Sequence, residues 1–203
     1  MDDIIKKHLP ESWYTMRAGI ECYTWALNKD TDKYKKLYDL MQGPYLKEIT
    51  GMYEVQNPIL YEQFQLKVTE CRLDTNVTVQ ELLHCTSVGN VLSILENNFD
   101  WRLCHRVKYG RGVSFSTDPG YAHLQSSLKN GKRRAMIVAD VIIGRTQLGN
   151  RHTIIPNEPY DTTVDSDGNV FVKYCDYDFY PKYVVYFEGH KVVSQNGQRS
   201  LLI

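Results

Sequence analysis

The segment Glu81–Tyr121, ELLHCTSVGNVLSILENNFDWRLCHRVKYGRGVSFSTDPGY, decides the fold. Glu81 to Cys85 has the length and apolar density of a buried strand. Thr86 or Ser87 is placed to cap a helix. Val88, Val91, Leu92 and Leu95 then recur at helical spacing, which predicts that helix over Val88–Asn97. His84 therefore stands where a strand gives way to a helix. There a side chain can face a cleft with free backbone amides nearby. Tyr109-Gly110-Arg111-Gly112 forms a loop able to bend back over that cleft. Val113 and Phe115 alternate with Ser114 and Ser116, as in a half-buried strand. Asp118-Pro119 opens a further short helix, with proline at its first position.

Outward from this segment, the N-terminal half predicts two helices and one strand. Thr31-Asp32 caps a helix in which Tyr34, Leu37, Tyr38 and Met41 share a face, and Gly43-Pro44 ends it. Met52 to Gln56 alternates as a strand. From Ile59, the spacing of Leu60, Phe64, Val68 and Cys71 predicts a helix of about four turns. Ser12 to Tyr23 has no assignable pattern, and Arg72 to Val79 reads as a polar connector. On the C-terminal side, Leu124 to Arg134 is polar, and its short basic run reads as a solvated hairpin or loop. Ala135 to Ile143 reads as a central strand. Gly144 to Asp167 is a long loop of the kind that faces a ligand or substrate. Strands follow at Val170–Tyr174 and Tyr183–Phe187. Residues 1–11 read as a linker stump, 12–188 as one domain and 189–203 as a tail. The links between the later strands are too short for crossover helices, so the fold class is α+β with mostly antiparallel strands.

Length and composition narrow the function. The 203 residues suit one domain with a sizeable core. Lys+Arg and Asp+Glu balance at 24 each, which disfavours a nucleic-acid binder, because no basic field exists to release counterions. MDDIIKKHLP has no apolar segment of a secretion signal, and no stretch approaches a membrane span. The five cysteines form no CxxC pair. They read as reduced thiols of an intracellular protein, with no metal site.

LLHCTS, NNFDWRLC, YGRGVSFSTDPGYAH, NVFVKY and YPKYVVYFE, in that order, resemble the motifs of the poly(ADP-ribose) polymerase superfamily. The resemblance runs from Pro10-Glu11-Ser12-Trp13 to about Glu188. It is strongest to the mono-ADP-ribosylating branch, whose members carry CCCH zinc fingers and WWE modules. It implies the ADP-ribosyltransferase fold: two packed, mostly antiparallel sheets with flanking helices and a cleft for NAD between them. The implied reaction passes ADP-ribose from NAD to a protein side chain and releases nicotinamide. The implied partners are NAD and acceptor proteins that the sequence does not identify; no membrane is involved.

The resemblance assigns roles residue by residue. His84 matches the histidine that bonds the ribose hydroxyls of NAD; its other reading is a buried structural histidine. If it faces a cleft, truncating it should leave stability nearly unchanged. Cys85 stands where the family has glycine, whose backbone grips the carboxamide, and its side chain narrows that approach. Thr86, Gly110 and Gly112 complete the backbone and loop around the ligand. Tyr121 matches the tyrosine that stacks on the nicotinamide; its other reading is a core tyrosine, one of 15 in the chain. Ser114 replaces the second aromatic wall, and Val170 replaces the glutamate that extends chains, so polymer synthesis is disfavoured. Two functions stay open. One is a mono-ADP-ribosyltransferase with a catalytic set His84-Ser114-Val170. The other is a pseudoenzyme that binds a protein or nucleotide without turnover.

Overall fold

A computed structural model describes residues 9–16, 22–104, 107–126 and 133–190. In chain order the elements are β1 (Tyr23–Ala26), α1 (Asp32–Leu40), β2 (Leu46–Gln56), α2 (Pro58–Asp74), β3 (Thr78–Ser87), α3 (Val88–Asn97), a 3-10 turn (Trp101–Leu103), β4 (Val113–Ser116), α4 (Pro119–Gln125), β5 (Arg133–Ile143), β6 (Thr146–Leu148), β7 (Thr162–Val164), β8 (Val170–Lys173) and β9 (Phe179–Gly189). The strands pair in the order β1-β2-β9-β5-β3-β4-β8-β7-β6. Every join is antiparallel except the parallel β6–β7 pair.

The α+β class expected from the sequence holds. The two sheets, however, are joined edge to edge into one nine-stranded sheet. The join is narrow: β3 and β4 share the single pair Leu83↔Ser116. Continued in register, the ladder would set Cys85 opposite Ser114. Instead β3 runs on with β5, paired from Thr78 to Ser87, while β4 stays with β8. The two strands splay, and a wedge opens between them at His84–Thr86.

Strand β5 explains why the sheet is stable. It is flanked by β3 and β9 and covered on both faces, so it reads as a near-continuous apolar run. Ala135, Ile137, Ala139 and Val141 face a core with Val91 and Leu95 of α3 and with Phe99, Phe115, Phe171 and Phe179. Met136 and Val138 face a second core with Leu37 and Met41 of the α1 segment, Tyr45, Val185 and Phe187. Leu60, Phe64 and Val68 of α2 pack with Val77, Ile142 and Tyr180 in a third. Burying one such Val, Leu or Ile side chain contributes about 1.5–3 kcal/mol.

Helix ends follow from local chemistry. The Thr31 side chain accepts from the Tyr34 amide, Asn57 from Leu60, and Asp118 from Gly120, with proline first in α2 and α4. Several expectations need correcting. Tyr38 lies on the solvent side of α1. β1 and the first half of β2 are additions to the expected strands: β1 is only four residues long, and the first half of β2 does not alternate cleanly. Helix α2 continues to Asp74 and β3 starts at Thr78, shortening the expected connector. The long loop contains β6 and β7. Gly189 belongs to β9 and not to a tail. Arg133 and Arg134 belong to β5, with Arg134 buried rather than solvated; residues 127–132 of the expected hairpin lie outside the described residues, as do 1–8 of the stump and 191–203 of the tail.

Candidate active site

Of the residues singled out from the sequence, the wedge between β3 and β4 brings His84 against the backbone of Ser114. At its centre, His84 Nδ1 lies 3.0 Å from the backbone carbonyl oxygen of Ser114. A carbonyl only accepts, so Nδ1 carries the proton and Nε2 of the neutral ring keeps its lone pair. Burial lowers the pKa of His84, partly offset by the Ser114 carbonyl, which favours the protonated ring. The ring is therefore held neutral, with Nε2 ready to accept from a hydroxyl. Phe99 and Phe115 fix its plane: their centroids lie 5.1 and 5.9 Å away, both edge-to-face. These contacts give the His84 ring packing partners of its own.

Cys85 points the other way. Neighbours on a strand face opposite sides. Its side chain accordingly sits in the second core, near Met41, Tyr45, Ala122 and Met136. Burial pushes its thiol up to about 11, although Ser126 and Arg134 pull down on it. The thiol is inert at neutral pH, and it does not narrow the wedge, contrary to the sequence-based expectation. Thr86 is buried, and its hydroxyl accepts from Asn90 Nδ2 at 3.1 Å. What β3 offers the wedge here is its backbone edge.

The glycine loop is built by packing. Gly110 has φ +133°, and a Cβ there would come within 1.7 Å of Tyr174 Oη. A Cβ on Gly112 would approach the Lys173 carbonyl oxygen to 2.2 Å. Only glycine fits either position. Thr163 Oγ1 donates to the Tyr109 carbonyl at 2.7 Å and lies 2.5 Å from Tyr174 Oη. The Arg111 amide donates to Thr153 O at 3.0 Å. The loop is thus tied to β7, to the end of β8 and to the segment after β6. Below it, the buried ammonium of Lys173 meets Asp161 at 2.8 Å, Asp178 at 3.2 Å and Thr162 Oγ1 at 2.8 Å.

Tyr121 lies on α4 and is half-buried. Lys108 Nζ lies at its hydroxyl, 3.5 Å from Oη and 5.4 Å from the ring centroid, and 4.9 Å from the Tyr109 centroid. Burial raises the Tyr121 pKa, with Lys108 opposing, so its phenol is protonated at neutral pH. Ser114 lies on β4 with its side chain exposed, and a serine at this position supplies no ring. Val170 pairs with Ser116 on β8 and is 1 % exposed. An apolar side chain in that closed position supplies no carboxylate.

The sequence profile of the poly(ADP-ribose) polymerase (PARP) catalytic domain matches residues 31–174, well over half of the chain. The chain belongs to the PARP catalytic-domain family. Among curated proteins it is similar to the human protein mono-ADP-ribosyltransferase PARP12, 28% identical over 200 residues covering 89% of this chain and 28% of the relative. It is also similar to human PARP14, at 26% identity covering 90% of the chain and 11% of the relative. With mouse PARP11 it shares 24% identity over 88% of the chain and 64% of the relative. The chain thus spans about a quarter of the length of the first of these relatives.

Within this PARP domain, two cavities lie away from His84 and Tyr121. One, about 140 Å³, is lined by Lys67, Cys71, Lys173 and Asp178 among others. The other, about 280 Å³, is lined by Tyr53, Val88, Arg133 and Tyr186 among others. Sequence reasoning missed Phe99 and Lys108. Phe99 sits in the quoted NNFDWRLC motif, and an aromatic there could have been read as support for His84. Nothing in the sequence distinguishes Lys108 from any loop lysine. Among the described residues no helix is long and apolar enough to cross a membrane, and no group of His, Cys, Asp or Glu is arranged to hold a metal ion.

Proposed function

We propose that this domain is an NAD-dependent protein mono-ADP-ribosyltransferase of the CCCH-zinc-finger/WWE branch. The observation that carries the reading is the His84 ring, neutral and oriented by the Ser114 carbonyl, with Nε2 turned from that bond. In the proposal Nε2 accepts a hydrogen bond from a ribose hydroxyl of NAD. The backbone edge of β3 at Cys85 and Thr86 holds the carboxamide, and Tyr121 stacks on the nicotinamide ring. Gly110 and Gly112 keep the covering loop close, and so act through packing. The bond from ribose C1′ to the nicotinamide nitrogen breaks, and its electron pair leaves with a neutral nicotinamide. A nucleophile of the acceptor protein bonds to C1′ and loses its proton to solvent. The enzyme's share is to position the ribose and exclude competing water. With Val170 in place of a carboxylate, nothing in the wedge activates a sugar hydroxyl for chain growth, so one unit is transferred. The relatives named as mono-ADP-ribosyltransferases support this reading. The five free thiols support an intracellular, reducing setting.

A second reading, a pseudoenzyme, is favoured by one specific feature. Ser114 supplies no ring where the resemblance places the second aromatic wall. Calorimetry with NAD, together with assay of nicotinamide release, separates the two readings. The transferase binds NAD and liberates nicotinamide in the presence of acceptor protein. Binding without release, or no binding, would leave the pseudoenzyme.

A further inference from the structure

We propose that Lys108 is a specificity-determining residue of the proposed NAD site: its ammonium, held at the Tyr121 hydroxyl, sets a like charge beside the positively charged nicotinamide ring stacked on Tyr121. The inference rests on the proposed NAD site and adds to it a residue that the resemblance does not assign. Lys108 Nζ lies 4.9 Å from the Tyr109 centroid, 5.4 Å from the Tyr121 centroid and 3.5 Å from Tyr121 Oη. No ion pair joins Lys108 to a carboxylate among the described residues, so the two rings are its partners there. A tyrosine face attracts a cation through the ring quadrupole. The nicotinamide of NAD is a pyridinium and brings its own positive charge to that face. Two like charges repel across a few ångströms of partly desolvated space. Ser114, in place of a second ring, supplies no aromatic face to offset the repulsion. Stacking of NAD on Tyr121 therefore brings the pyridinium toward the Lys108 ammonium, at a cost that a neutral ring does not incur. Ligands with the same pyrophosphate and no pyridinium escape this repulsion: ADP-ribose has no ring there, and NADH has a neutral one.

The test compares NAD with ADP-ribose by calorimetry on the wild type, Lys108→Met and Lys108→Arg. Methionine keeps an unbranched stem and removes the charge; arginine keeps the charge. The affinity ratio, NAD over ADP-ribose, should rise about two- to fivefold in Lys108→Met, the factor that one exposed cation–ring contact accounts for. It should stay at the wild-type value in Lys108→Arg, and NADH should gain nothing from the methionine. An unchanged or lower ratio in Lys108→Met, with NAD still bound, would overturn the role of Lys108 and leave the NAD site standing. Failure of every variant to bind either ligand would overturn both.

Discussion

His84 reaches across the splayed β3–β4 wedge to the Ser114 backbone, Nδ1 to carbonyl oxygen at 3.0 Å. The bond uses the main chain of Ser114 and leaves the exposed Ser114 side chain out of it. Position 114 can therefore change its side chain without disturbing the histidine. Ser114→Tyr should restore the missing aromatic wall and tighten NAD binding by roughly ten- to a hundredfold, the effect of about 1–3 kcal/mol of ring burial. Calorimetry checks it. Unchanged or weaker binding would mean that the serine side chain does not border the nicotinamide slot.

His84→Gln should abolish transfer, because glutamine neither keeps the ring against Phe99 and Phe115 nor holds an acceptor where Nε2 lies. The lost edge-to-face contacts should lower stability by about 1–2 kcal/mol, a modest fall in melting temperature with the fold retained. Circular dichroism alongside the transfer assay would show this. Full transfer by a folded His84→Gln protein would assign His84 to the core alone.

Lys173→Met should be among the most destabilising single changes. Lys173 is 1 % exposed and Asp178 is 3 % exposed, so removing the ammonium strands a buried carboxyl group. Breaking such a pair on one side costs about 3–5 kcal/mol. Urea unfolding of Lys173→Met, Asp178→Leu and the double variant measures it. The double variant should recover part of the loss, since the buried Asp178 carboxylate is no longer stranded, while the more exposed Asp161 keeps its bonds to the Gly144 and Arg145 amides. A loss in the double variant equal to the sum of the singles would contradict the coupling.

Gly110→Ala should destabilise by more than about 2 kcal/mol, because its φ of +133° and the 1.7 Å approach to Tyr174 Oη leave no room for a methyl group. Adding Tyr174→Phe should relieve the steric part and leave the backbone strain. Thermal unfolding of both variants is the check, and a neutral Gly110→Ala would mean that the loop is not pinned to β8.

Stability should also fall in mild acid. Burial lowers the pKa of both His84 and His123. For a histidine held neutral, the folded state binds fewer protons than the unfolded chain below the ordinary value of about 6.5. Stability is then fully present above that value and is lost as pH falls toward each folded-state pKa. His123 is the clearer case: Nε2 donates to His190 O at 3.2 Å, while Nδ1 is buried without a partner beside Tyr45, near buried Arg134. Protonating Nδ1 would place an unpaired N–H and a second cation there. His123→Gln should therefore lose less stability than the wild type between pH 7 and pH 5, as followed by thermal unfolding. Parallel curves would contradict this account.

The legible parts of the fold are those with local signals. Val113–Ser116 has its observed limits written in the sequence, because alternation and the preceding Gly112 agree there; Val88–Asn97 also has the expected limits, although Ser87 makes no side-chain cap bond and only Val91 and Leu95 of its apolar stripe are buried. β1 and the first half of β2 are not legible, since β1 is held by the second half of β2 and the first half of β2 by β9, pairings between segments distant in the chain. The joining of the two sheets through Leu83↔Ser116 depends on where two strands part, which no local pattern encodes. At the site, the opposite facing of His84 and Cys85 follows from strand geometry. That Cys85 leaves the wedge clear follows from the same rule, although its motif position suggests an obstruction. The tight packing that demands Gly110 and Gly112 comes from Tyr174 and the Lys173 backbone, more than 60 residues along the chain, and no local signal announces it.

The most direct measurement is intact-mass analysis of the purified protein after incubation with NAD, run beside His84→Gln. The transferase account predicts discrete additions of single ADP-ribose units on the wild type, none on His84→Gln, and no ladder of polymer. An unchanged wild-type mass at saturating NAD with acceptor protein supplied, and no nicotinamide released, would contradict it.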